Sequence, residues 1–244
     1  MNRQPLARIA PRFSLGRYGL GLVAGMALLA TGGCVHHRDT LRVPESVPTE
    51  IAANVDAKVD PDLAHDPDNL LLLDLSNGGR VAIRLMPNWA PHHVERIKTL
   101  ARQGFYNGVI FHRVIDGFMA QTGDPTGTGQ GGSPLPDLKA EFNAVPHVRG
   151  TVSMARTDSP DSANSQFFIV FYPHFGLDRH YTNFGRVISG MDVADAIVRG
   201  EPPTNPTKIV QASIESEGKA RPTAAVPGAS LRFTADQLSH SKSD

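Results

Sequence analysis

The chain has 244 residues, with 24 Lys+Arg against 24 Asp+Glu for a formal charge of zero, and 40% of its residues are hydrophobic and 20% charged. That is globular composition, more apolar than a wholly disordered chain. The single Cys excludes an intramolecular disulfide framework and any multi-Cys zinc site, and the neutral balance gives no electrostatic footing for nucleic acid as a partner. The neutrality conceals an uneven distribution. Residues 1–33 hold Arg3, Arg8, Arg12 and Arg17 and no acid, which leaves 20 basic against 24 acidic groups, a net of −4, in the remainder.

In chain order, the basic start up to Arg17 is followed by an apolar run, Leu20–Ala30, and then by Thr31-Gly32-Gly33-Cys34. A positive n-region, a short apolar core and small residues before a cut describe an export signal, and the core falls short of the roughly 20 residues a spanning helix needs. The lone Cys directly after the small residues resembles the bacterial lipoprotein pattern, although Thr31 stands where Leu is usual. Cys34 is therefore expected to be lipidated and to anchor the mature chain in a membrane facing the periplasm. Val35 after it favours the outer membrane in a cell that has one. The alternatives are an ordinary secretory signal, leaving a soluble periplasmic protein, and an uncleaved anchor.

Residues 34–67 read as the lipidated Cys and a flexible tether, with Pro44, Pro48 and Pro61 and no sustained apolar period. Residues 215–244 read as a mostly unstructured tail rich in Ser, Ala, Pro and charge. Between them, 68–214 reads as one compact domain. Leu70–Leu75 and Arg80–Leu85 flank Asn77-Gly78-Gly79, a hairpin pattern. Further strands are expected at Val109–Ile115, Phe118–Gln121, Thr151–Met154, Phe167–Phe171, Asn183–Val187 and Lys208–Ile214. A helix is expected over about Ala90–Gln103, with Val94, Ile97, Leu100 and Ala101 on one face and Gly104 as its stop, and a second over about Met191–Val198 before Gly200. Eight strands and two helices without regular βαβ alternation predict a mainly β fold, a closed eight-stranded antiparallel barrel capped by the helices. The lone Trp89 reads as a packing residue.

The densest chemistry lies in Phe111-His-Arg-Val-Ile-Asp-Gly-Phe-Met-Ala-Gln121, continuing as Thr122-Gly-Asp-Pro-Thr-Gly-Thr-Gly-Gln-Gly-Gly132, with Gly150-Thr-Val-Ser-Met-Ala155, Asn164-Ser-Gln-Phe-Phe-Ile169 and Phe184-Gly-Arg-Val187 further on. These segments resemble the cyclophilin-type peptidyl-prolyl cis-trans isomerases over nearly all of 68–214. The resemblance implies catalysis of X-Pro rotation without cofactor or metal, on proline-containing unfolded or exported polypeptides, by a monomer. Rotation about the X-Pro amide crosses a barrier of ~18–20 kcal/mol because resonance must be broken. Uncatalysed exchange takes roughly tens to hundreds of seconds. No bond is made or cut, so the site needs an apolar slot for the pyrrolidine ring and fixed polar groups that prefer the twisted amide.

By this resemblance Arg113 is the catalytic residue. It holds the carbonyl before the proline ring and donates toward the prolyl nitrogen as its lone pair is freed. Gln121 holds the substrate backbone alongside. Phe118, Met119, Phe168 and Leu177 form the proline pocket. Ala155, Gln166 and Tyr181 line the neighbouring groove, Tyr181 standing where many members have His. Without the motif, the aromatic residues would read as core, and Arg113 as solvated or paired with an acid such as Asp116.

The chain departs from the family at Arg156–Asn164, a longer and more charged loop beside the groove, and at Phe175-Gly176-Leu177, where cyclosporin-sensitive members have Trp before Leu. The second departure argues against tight cyclosporin binding. The Gly-rich run Gly123–Gly132 has no Gly-Lys-Ser/Thr ending and no following helix, so it reads as a surface loop, not a phosphate cradle. His36-His37, His92-His93 and His112 lack metal-ligand spacing, and no Gly-x-Ser-x-Gly supports a hydrolase. The alternative of another class is a module that grips proline-containing segments with little turnover. Arg113 and Gln121 argue against it, because a pure binder has no use for a transition-state donor.

Overall fold

The computed structural model describes residues 55–223. The expected export signal, Cys34, the first part of the tether and the tail beyond 223 lie outside the described residues. Eight antiparallel strands form one curled sheet: β1 Leu70–Leu75, β2 Arg80–Leu85, β3 Arg113–Ile115, β4 Met119–Thr122, β5 Thr151–Met154, β6 Phe167–Val170, β7 Asn183–Ser189 and β8 Ile209–Ile214. Two helices accompany them, α1 Pro91–Arg102 and α2 Met191–Asp195. The strand order is β3-β4-β6-β5-β7-β2-β1-β8.

The expected closed barrel is a curled half-barrel, because its two end strands, β3 and β8, share no ladder. β3 has three residues, spanning about 10 Å at ~3.3 Å per residue. The gap beside it is crossed by isolated bridges, Ile110 to Lys208 and Val114 to Gly200, and by hydrogen bonds joining Gly108 and Val109 to Ile209. The chain next to Gly200 carries Pro202, Pro203 and Pro206, which lack the N–H that a ladder requires. The strand expected over Val109–Ile115 joins a ladder only from Arg113; before it, the Phe111 amide donates to the Thr207 carbonyl and the Val109 carbonyl accepts from the Ile209 amide, at 2.9 Å each, outside any ladder.

Leu71, Leu73, Leu75, Val81, Ile83 and Leu85 point inward from the first hairpin and meet Val94, Ile97, Leu100 and Ala101 of α1 in the main core. Pro91 opens α1 at its first position, where its missing N–H costs nothing. No side chain of its own caps this end. The Glu141 carboxylate accepts the His92 and His93 amides at 3.2 and 3.1 Å instead. At the other end Gly104, with φ 70°, lets the Phe105 amide return to the Leu100 carbonyl and its own amide to Ala101, a Schellman closure. Helix α2 is shorter than expected. The Arg199 guanidinium donates to the Asp195 and Ile197 carbonyls at 2.6 Å each and draws the chain away from a further turn.

Two expectations about the flanks are corrected. Residues 55–66, part of the expected tether, pack on the domain. Val55 and Val59 lie against Met86, Trp89 and Val145. Buried Arg84 donates to the carbonyls of Asp62 and Asp66 at 2.6 and 2.7 Å, and the Trp89 indole donates to the Asp56 carbonyl at 2.7 Å. Residues 215–223, expected as tail, begin with a 3-10 turn and end with Arg221 donating to the Gly78 carbonyl. Residues 55–66 dock through their backbone carbonyls, and residues 215–223 through the Arg221 side chain and the Ala220 carbonyl, which accepts from Gln211 at 3.1 Å; a composition argument sees neither.

Candidate active site

Strand register builds the site. Arg113 on β3 lies opposite Gln121 on β4, Gln121 opposite Phe168 on β6, and Phe168 opposite Ser153 on β5. Opposed residues in antiparallel strands project to the same face. One step along, Ile115, Met119 and Val170 form a second row on that face. The alternate residues, Val114, Ala120, Phe167 and Ile169, turn the other way into the main core. The period of two thus separates a pocket face from a core face within the same short strands.

On the pocket face Met119, Phe168, Val170 and Leu177 form a separate apolar cluster, with Ile115, Phe118, Ala155 and Tyr181 packed against it. Above it opens a cavity of about 220 Å³ lined by Arg113, Phe118, Met119, Gln121, Ala155, Phe168, Leu177 and Tyr181, together with Arg156. Gln166 lies in the adjoining cavity of about 340 Å³, which shares Gln121, Ala155 and Arg156 with the first. Leu177 arrives on a 3-10 turn, Phe175–Leu177, and Tyr181 stands edge-on to Phe168 with centroids 5.7 Å apart. The Phe118 ring rests against His174 at 4.8 Å. Arg156 lays its guanidinium over the Tyr181 ring at 4.7 Å and spends its donors on the carbonyls of Thr157, Asp158 and His180. The charged loop therefore forms a wall common to both cavities.

Polar groups run in a chain along the rim. Arg113 Nε donates to Glu201 Oε2 at 2.8 Å, and Arg113 Nη1 reaches Gln121 Oε1 at 3.5 Å. Gln121 Nε2 donates to Gln166 Oε1 at 2.9 Å, and Gln166 Nε2 donates to the Gly129 and Gly131 carbonyls at 3.0 and 2.8 Å. The Gly-rich loop is itself wrapped around a carboxylate. Buried Asp124 accepts from the Thr126 amide and hydroxyl at 2.7 and 2.8 Å and from the Gly129 and Gly131 amides at 2.6 and 3.1 Å. A Cβ on Gly131 would come within 2.2 Å of that carboxylate, so the close approach requires glycine. Burial opposes the charge on Asp124, and these hydrogen bonds outweigh it, holding the carboxyl down at about 2. The loop thus carries its own internal anion.

Behind the pocket, His147 is buried between Asp178 and Ser153, with both contacts at 2.8 Å, and burial lowers its pKa. Asp178 follows Leu177, so this contact ties the pocket-forming turn to β5. His112, beside Arg113, is also buried and has its pKa lowered by burial. Asp116, the acid suggested as a partner for Arg113, pairs with Arg199 at 3.3 Å instead.

Sequence reasoning did not single out Glu201, Asp124 or His147. Asp124 carried a readable signal, an Asp followed at once by Pro-Thr-Gly-Thr-Gly, the composition of a side-chain-nucleated turn. Glu201 carried none, being 88 residues from Arg113 along the chain.

A curled antiparallel sheet that presents an arginine and glutamines beside an apolar slot on its outer face can receive an extended peptide with a compact ring. Residues 71–214 match the family described as cyclophilin type peptidyl-prolyl cis-trans isomerase/CLD, and the chain belongs to that family. It is 50% identical over 172 residues to a probable peptidyl-prolyl cis-trans isomerase of Brucella suis, covering 64% of this chain and 87% of the relative. It is 45% identical over 130 residues to a peptidyl-prolyl cis-trans isomerase of Helicobacter pylori, covering 52% and 78%. Among solved structures it is similar to cyclophilin AquaCyp293 from Hirschia baltica, with TM-score 0.58, 33% identity, and 62% and 76% of the two chains covered. A Cryptosporidium parvum cyclophilin-type isomerase, solved in the presence of the dipeptide Ala-Pro, gives TM-score 0.56 and 28% identity, covering 59% of this chain and 98% of that one. The protein is a peptidyl-prolyl cis-trans isomerase.

Proposed function

We propose that this isomerase turns over X-Pro bonds in exported polypeptides at the 220 Å³ pocket, with Arg113 as its catalytic residue. The observation that carries the reading is the register row Arg113–Gln121–Phe168, which sets a cation, an amide and an aromatic ring side by side on the pocket face. The proline ring enters between Phe118, Met119, Phe168 and Leu177, where apolar burial favours it over water. Arg113 binds the carbonyl before the ring and donates toward the prolyl nitrogen once the twisted amide frees its lone pair. Gln121 and Gln166 hold the substrate backbone on the rim, and Ala155 and Tyr181 receive a flanking residue. A fixed donor lost from such a site costs ~2.7–4 kcal/mol. At ~1.36 kcal/mol per decade, Arg113→Ala is expected to lower kcat/KM about 100- to 1000-fold in a proline-limited refolding or chromogenic peptide assay. Wild-type activity no greater than that of Arg113→Ala would overturn the assignment.

We further infer that the domain works as a monomer outside the cytoplasm, held to a membrane by acylated Cys34 and the residues that follow it. The basic start, the apolar run and the position of the only Cys support this reading. Two or more acyl chains on one residue suffice for stable anchoring. Mass spectrometry of the mature N-terminus is expected to find acylated Cys34, and an unmodified or uncleaved terminus would exclude it.

A further inference from the structure

We infer that Glu201 is a positioning residue for Arg113, setting the angle at which the guanidinium enters the proline pocket. The inference rests on the catalytic assignment of Arg113 proposed above. Glu201 Oε2 accepts from Arg113 Nε, not from a terminal nitrogen, at 2.8 Å. Nε lies at the root of a rigid planar fork, so a carboxylate there fixes the plane and leaves the terminal nitrogens free. One of these, Nη1, already reaches toward Gln121 on the pocket rim at 3.5 Å.

Glu201 is itself held in place by backbone. Its neighbour Gly200 exchanges two hydrogen bonds with Val114, the residue after Arg113, at 2.8 and 2.9 Å. The carboxylate and the arginine are thus carried on chain segments bridged side by side. Pro202 and Pro203 follow immediately, and their fixed φ angles stiffen the approach. The acid nearer in sequence, Asp116, is taken by Arg199, so it does not compete for Arg113.

The exposure of the pair separates this role from a structural one. The Arg113 and Glu201 side chains are 41% and 51% exposed. Exposed ion pairs contribute little to folding. Removing the carboxylate should therefore leave stability intact while letting the guanidinium sample orientations that miss the prolyl amide. Misplacement of a catalytic group is costly for the chemical step even when binding is retained.

The test compares Glu201→Ala and Glu201→Gln with wild type and Arg113→Ala, using a chromogenic X-Pro peptide. Glu201→Ala is expected to lower kcat about tenfold with KM within about twofold and Tm unchanged. Glu201→Gln, which keeps an acceptor for Nε, is expected to restore most of the loss. The Arg113 Nε–Hε resonance, assigned by its absence in Arg113→Ala, is expected to shift and broaden in Glu201→Ala. Full activity in Glu201→Ala, or a loss carried wholly by KM, would overturn the positioning role. Full activity in Arg113→Ala would instead overturn the catalytic assignment beneath it, so the two failures are distinct.

Discussion

Asp124→Asn tests whether the loop beside the site is organised around a buried charge. The wild-type carboxylate is fully buried and accepts from two loop amides and from the amide and hydroxyl of Thr126. Its carboxyl is held at about 2 against an ordinary 3.8. At roughly 1.4 kcal/mol per pKa unit, the charged form contributes about 2 kcal/mol to folding at neutral pH. The folded value lies below the unfolded one, so this stabilisation is complete above the unfolded value and is lost as pH falls toward and through the folded one. At pH 3 roughly half of it should remain. An Asn would also turn an N–H₂ group toward some of the amide donors. Urea unfolding of wild type and Asp124→Asn should therefore differ by about 2 kcal/mol at pH 7, and the gap should narrow by about 1 kcal/mol at pH 3. Isomerase activity should fall as well, because the carbonyls of Gly129 and Gly131 that hold Gln166 belong to the same loop. A gap that stays constant between pH 7 and pH 3, or that is negligible throughout, would refute a charge-organised loop.

Two further outcomes are expected. A chain beginning at residue 67 removes the acceptors of the buried Arg84 guanidinium and of the Trp89 indole. It should lose about 3 kcal/mol relative to a chain beginning at residue 54, and equal Tm values would show that residues 55–66 contribute nothing. Burial lowers the pKa of His147, so its neutral form is favoured by folding and the associated stability is present above its ordinary 6.5 and falls as pH drops below it. His147→Gln should therefore flatten the pH dependence of unfolding between about pH 7.5 and 5, and parallel curves for the two proteins would count against this.

Much of the scaffold was legible along the chain because its signals are local. The hairpin around Asn77-Gly78-Gly79 and the face of α1 follow from residue spacing, and the structure places their apolar residues in the main core. Every strand ladder falls at or within a residue or two of an expected run. Most differences between pattern and structure lie where the deciding group is distant in the chain. The sheet stays open beside β3, where the facing chain, some 90 residues away, carries prolines that cannot donate to a ladder. Helix α2 differs for a local reason: Arg199, four residues beyond Asp195, donates to the Asp195 and Ile197 carbonyls at its end. Composition marks a tether and a tail but says nothing of backbone carbonyls offered to Arg84, Trp89 and Gln211.

The sequence by itself determined the alternation of strand residues, the helix faces and a motif dense enough to imply an isomerase. These are matters of period and local chemistry, written within a few residues of one another. Only the tertiary structure decided which row of side chains faces the pocket, that the half-barrel stays open between β3 and β8, and that Arg113 meets Glu201 and not Asp116. Those outcomes depend on register and on contacts between segments far apart in the chain, whose geometry exists only once the sheet has curled. The equal number of basic and acidic residues illustrates the difference. It fixes a total, whereas the surroundings of Arg113 depend on which carboxylate the fold brings to its guanidinium.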